Sequence, residues 1–202
     1  MRTRRLFLIT MQADFAVELG RDDETLEVPW AAPDGILRYY DLKREPDALA
    51  NIEEVTCWPE LREFLVAVNA QASMLESAKC DAWSTTELNP DEEIFAVPWK
   101  FGSYVDLLIS DPAVRFSFEK HETFLKHLTA LLKVVPEIPA SAEFGLRRCF
   151  YHEGEAVREG YYMTSYLFGY GEDETHARKQ WGIALKLVAA AITQLSSRHL
   201  AL

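Results

Sequence analysis

Hydrophobic positions in this chain change period twice in the same way, from the alternation of a strand to the stripe of a helix. In the first stretch, 78–83 and then 93–109 read as strands, the second holding Phe101-Gly102-Ser103-Tyr104-Val105-Asp106-Leu107. A helix over 119–135 follows, with Phe124, Leu128, Leu131, Leu132 and Val135 at i, i+4, i+7, i+8 and i+11. In the second stretch, 146–151 and 160–171 read as strands. The helix over 175–195 then repeats the same spacing with Trp181, Leu185, Val188, Ala189 and Ile192. One apolar stripe per helix marks a helix lying on a sheet.

The pattern predicts an α+β fold: an antiparallel or mixed sheet with helices packed mainly on one face, built from a repeated strand–strand–helix unit. The pseudo-repeats span about 77–135 and 142–196, within a single compact domain over 1–202. A looser third copy over 26–69 is read from a hairpin, 26–30 and 36–42 around the Pro33-Asp34-Gly35 turn, followed by helices at 46–54 and 59–69. Redrawn with 114–118 as a short strand, the two clearer copies become strand–helix–strand–strand in tandem, an arrangement used by several small-molecule sensor domains. Apolar residues at 6–9 read as a first strand, too short for an export signal.

Composition narrows the partners. Formal net charge is -11 and the sequence pI is near 4.9, so the basic footprint of a nucleic-acid binder is missing. Anionic membrane surfaces are disfavoured on the same ground. No apolar run approaches the roughly 20 residues of a membrane span. The expected location is the cytoplasm, and the favoured partner is cationic. Three cysteines, Cys57, Cys80 and Cys149, agree with a reducing compartment. Cys80 and Cys149 occupy corresponding strands of the two stretches and would approach each other if those strands were adjacent.

Known chemistry leaves little trace. There is no CxxC, no HExxH, no GxSxG elbow and no phosphate-binding glycine loop, so no catalytic residue, metal ligand or cofactor is assigned. Three acidic clusters, Asp22-Asp23-Glu24, Asp91-Glu92-Glu93 and Glu172-Asp173-Glu174, read as helix starts and solvated turns. Asn89-Pro90 reads as a cap followed by a first-turn proline, and Gly169-Tyr170-Gly171 as the turn from strand to helix.

The aromatic positions stand apart. Alternation places Tyr162, Thr164, Tyr166, Phe168 and Tyr170 on one face of their strand, and Lys100, Gly102, Tyr104 and Asp106 on one face of theirs. If the two copies pair about a pseudo-two-fold axis, Tyr104 and Tyr166 flank a central groove. Tyr162 lies on the same face, and Arg148 and His152 are candidates for its polar contacts.

Part of the sequence is similar to bacterial immunity-protein domains of the SUKH type. Pro59-Glu60-Leu61-Arg62-Glu63-Phe64-Leu65 near Asn69, and Ser117-Phe118 before Phe124-Leu125, carry the likeness. It covers under half the chain, and Ala70 stands where that pattern has glycine. The leading expectation is a non-enzymatic module, of the bacterial sensor type, for a small apolar or cationic ligand. The alternative is an acidic protein-interaction module, a toxin antagonist or a homodimer. A third is an enzyme with no recognisable motif.

Overall fold

The computed structural model describes residues 10–36, 38–88 and 96–197. The sequence readings at 2–9, Asn89-Pro90 and Asp91-Glu92-Glu93 fall outside the described residues.

Among the described residues, six strands form one mixed sheet: β1 (Gln12–Val17), β2 (Leu26–Val28), β3 (Leu75–Thr85), β4 (Trp99–Ile109), β5 (Ala140–Glu153) and β6 (Ala156–Gly171). Their order is β1-β5-β6-β4-β3, with β2 also on β5. β1 and β2 run parallel to β5, and every other pair is antiparallel. The helices are α1 (Glu53–Cys57), α2 (Pro59–Val68), α3 (Phe118–Leu132) and α4 (Glu174–Ser197).

Register decides which face is core. Phe101, Ser103, Val105 and Leu107 lie opposite Gly169, Leu167, Ser165 and Met163. On this face Trp181 of α4 donates its indole N–H to Ser103 Oγ at 2.9 Å. The main apolar cluster joins these strand positions to Phe124, Leu128 and Leu132 of α3, Leu185 and Val188 of α4, and Phe64 and Leu65 of α2. Both helix stripes read from the sequence are therefore core faces.

Gly169 has a sharper role than a turn. A Cβ there would stand 2.0 Å from the Trp181 backbone nitrogen, so only glycine lets α4 press onto β6. Asp173 caps α4, its Oδ1 accepting from His176 N–H at 2.9 Å. Ser117 caps α3 by accepting from Lys120 N–H.

Several expectations are corrected. The third copy is not confirmed: β2 joins β5 in parallel, and its expected hairpin is reduced to the antiparallel bridge Ala31–Arg38, though helical segments do follow at Pro46–Asn51, Glu53–Cys57 and Pro59–Val68. Residues 112–116 are turn and α3 begins at Phe118, so the strand–helix–strand–strand redrawing fails. The architecture does not establish a repeated unit, since β3 carries a register shift between Ser77 and Cys80 and β5 pairs with β6 without one. Cys80 and Cys149 are kept apart by β4 and β6, on opposite faces of the sheet. Among the described residues, no helix is long and apolar enough to cross a membrane.

Candidate functional site

The sheet face turned away from α4 carries the aromatic residues. Tyr104 and Tyr166 are direct cross-strand partners, with ring centroids 6.4 Å apart. Phe168 lies parallel to Tyr166 at 6.5 Å, and Trp83 meets Phe168 edge-on at 6.3 Å. The face alternation read from the sequence is the observed one, and the result is a row across β3, β4 and β6 in which Trp83, Tyr104 and Tyr166 are half-buried and Phe168 is buried.

Beside this row runs a chain of polar groups. Thr164 donates to Asp106 Oδ1 at 2.7 Å and accepts from Arg147 Nη1 at 3.2 Å. Arg147 also donates to Glu18 at 2.6 Å and to Glu24 at 3.1 Å, tying the β1–β2 connection to the sheet. Asp106 is 4% exposed, and burial pushes its carboxyl up to about 6 against the pull of Thr164.

The candidate polar contacts were read one position out of register. Arg147 shares the tyrosine face, whereas Arg148 points to the other and donates to the Leu19 and Gly20 carbonyls. His152 stands near the end of β5, paired with Glu27, far along the strand from the tyrosines. Tyr162 is on the predicted face but fully buried, in a second apolar cluster with Leu26, Val28, Leu108, Cys149 and Tyr151. That cluster is roofed by Trp30 and Tyr39, from the segment after β2.

The roof divides the space above the sheet. Residues 38–43 place Arg38, Tyr40 and Leu42 along one hollow of about 500 Å³. Tyr39, Asp41 and Lys43 line another of about 660 Å³. Tyr104 opens onto the first, and Tyr166 onto a shallow depression of about 340 Å³ beside β1. The two tyrosines therefore do not flank one groove; they form the ridge between two spaces.

The first hollow combines an apolar floor of Leu42, Ile52, Ala78 and Cys80 with walls of Trp30, Tyr40 and Tyr104. Glu53, Glu54 and Asp81 stand at its rim. The residues at the register shift in β3, Ser77 to Cys80, lie along it, and Trp30 donates to the Ala78 carbonyl there at 2.8 Å. Two of the protein's own cations already lie on its rings: Lys79 5.1 Å from the Trp30 centroid and Arg38 5.4 Å from Tyr40. Burial pushes the Cys80 thiol up to about 12, with Glu54, Asp81 and Asp106 adding to the shift. Burial, Asp106 and Asp81 likewise hold the Tyr104 phenol above its ordinary range. The sequence reading missed this hollow because its lining joins β3, β4 and α1 to the coil that carries Trp30 and Tyr40. Only the alternation over 36–42 signalled it.

Among the described residues, no group of three or more His, Cys, Asp or Glu side chains is placed to hold a metal ion. No protein-family model, curated protein or solved structure matches this chain.

Proposed function

We propose that the protein is a non-enzymatic small-molecule-binding module, a single compact unit of the bacterial sensor type, whose ligand is a small cation with an apolar body. The observation that carries this reading is the hollow beside Tyr104. Its volume falls in the range of small-ligand pockets, aromatic and aliphatic side chains line about half of it, and the acids Glu53, Glu54 and Asp81 stand beside the bases Arg38 and Lys79. Aromatic rings with a carboxylate rim suit a quaternary or aryl ammonium, which sheds less hydration than a bare ammonium.

Thermal denaturation in the presence of cationic aromatics tests it. A ligand at about 100 times its dissociation constant stabilises by roughly 2.7 kcal/mol, which raises the midpoint by about 5–10 °C for a chain of this size. Tyr104→Ala should remove the shift and keep the cooperative transition. Silence across a broad panel of such cations would end this reading.

A second reading rests on a separate observation, the half-buried rings of Trp83, Tyr104 and Tyr166 on a protein of net charge -11. There the protein is an acidic interaction module of the toxin-antagonist kind, and its partner is a basic protein. Salt-dependent capture of a basic partner, lost on replacing Tyr166 and Trp83 by Ser, would favour it over the small ligand.

A further inference from the structure

The register shift in β3 releases two residues from the ladder, and both engage one ring. Ser77 pairs with Leu107 and Cys80 with Val105, while Ala78 and Lys79 between them have no register partner on β4. The Ala78 carbonyl accepts the Trp30 indole N–H at 2.8 Å. The Lys79 ammonium lies 5.1 Å from the centroid of the same ring. A bulge re-aims a side chain in this way. We propose that Lys79 is a resident competitor in the hollow beside Tyr104: it occupies the ring face that a cationic ligand needs, and the ligand binds by displacing it. The proposal rests on the small-ligand reading of that hollow.

Lys79 and Trp30 line the same space as Tyr40 and Tyr104, so their contact falls where a ligand would enter. Glu53, Glu54 and Asp81 line it too, yet no ion pair among the described residues draws Lys79 off the ring. The indole tether to Ala78 holds the ring in place when the ammonium leaves. Arg38 repeats the arrangement on Tyr40, its guanidinium 5.4 Å from that centroid.

A lysine ammonium is a compact, strongly hydrated charge on a flexible stem, so it can swing away with no change in the strand that carries it. It stays tethered beside the ring and refills the face whenever the ligand departs. Every ligand must therefore break this contact before making its own. A primary ammonium would exchange one hydrated ammonium for another. A quaternary ammonium carries less hydration and gains from the exchange. Lys79 thus sets a threshold that quaternary ligands pass.

The test is titration calorimetry of the full chain with benzyltrimethylammonium and its primary counterpart, benzylammonium. The quaternary probe should bind the wild-type protein more tightly than the primary one. Lys79→Ala should tighten that binding by about two- to five-fold, the worth of one partly solvated cation–π contact. Lys79→Arg keeps the charge and stacks more firmly on a ring, so it should show no gain. Proton NMR adds a readout that simple charge repulsion would not move. In the free protein the Trp30 ring should shift the Lys79 ε-methylene protons upfield, and the quaternary probe should return them to the position of a solvated lysine. Unshifted methylenes in the free protein, a shift that survives saturation by the probe, no gain in Lys79→Ala, or an equal gain in Lys79→Arg would each overturn the competitor and leave the ligand reading in place. A primary probe that binds as tightly as the quaternary one would overturn the threshold. Failure of both probes to bind either the wild type or Lys79→Ala would instead sink the ligand reading itself, and the competitor with it.

Discussion

The two hollows share a wall and differ in what the wall presents. Residues 38–41 lead into a turn at 42–44, and along them Arg38, Tyr40 and Leu42 line an aromatic space while Tyr39, Asp41 and Lys43 line a polar one. In the aromatic hollow, the charges of Lys79 and Arg38 are already placed over rings. In the polar hollow, Arg115 lies over the Tyr151 ring and donates to the Ser110 carbonyl, with Glu76 and Asp41 on the same lining. The difference teaches that a two-residue period has uses outside a ladder. A segment that forms one isolated bridge outside the sheet still sorts its side chains into two chemistries.

The largest effect should come from damaging the wall itself. Leu42 is 4% exposed, and Leu42→Ala should cost about 2–5 kcal/mol in urea denaturation and impair both hollows together. A loss below about 1 kcal/mol would show that the segment is draped over the sheet and not packed into it.

Asp106 comes next, because it charges one side only. Its carboxyl is raised in the folded state, so folding favours its protonated form, and stability falls as pH rises from about 4 to 6. Asp106→Asn should flatten that slope and stabilise the protein above pH 6 by up to about 3 kcal/mol. Denaturant titrations across this pH window decide it, and an unchanged slope would refute the burial argument. The same variant should weaken cation binding beside Tyr104 and leave the polar hollow untouched.

Tyr104→Ala should cost the cationic ligand about tenfold or more in affinity, read by calorimetry. Glu54→Gln, at the half-buried rim, should cost only two- to five-fold, in keeping with the modest worth of partly solvated charges. That loss should shrink at high salt. Equal losses for Glu54→Gln and Tyr104→Ala would mean that the rim, not the ring, selects the ligand.

Much of this was legible in the sequence, and the boundary of legibility is physical. The helix stripes and the faces of β4 and β6 follow from local period alone, so Phe124, Trp181, Tyr104 and Tyr166 fall on the faces expected of them. Arg147 was missed for Arg148 because alternation gives two faces and only pairing with β6 says which is which. Gly169 looked like a turn residue because its reason lies in the backbone of Trp181, on another element. β2 was read into a local hairpin because parallel partners lie far off in sequence, where no turn announces them. The two hollows were hidden for a similar cause, since their walls are joined by packing and not by a ladder.

The parallel attachment of β1 and β2 to β5 also sets an order of assembly during synthesis. Glu18 and Arg147, which fasten the first strands to the sheet, are 129 positions apart. At a ribosome's pace the early strands wait on the order of ten seconds for the edge that receives them. The antiparallel core, joined largely by local connections, can close as a unit and accept them last. Gln12 and Asp14, exposed in the finished β1, are then also what keeps that waiting strand from finding the wrong neighbour.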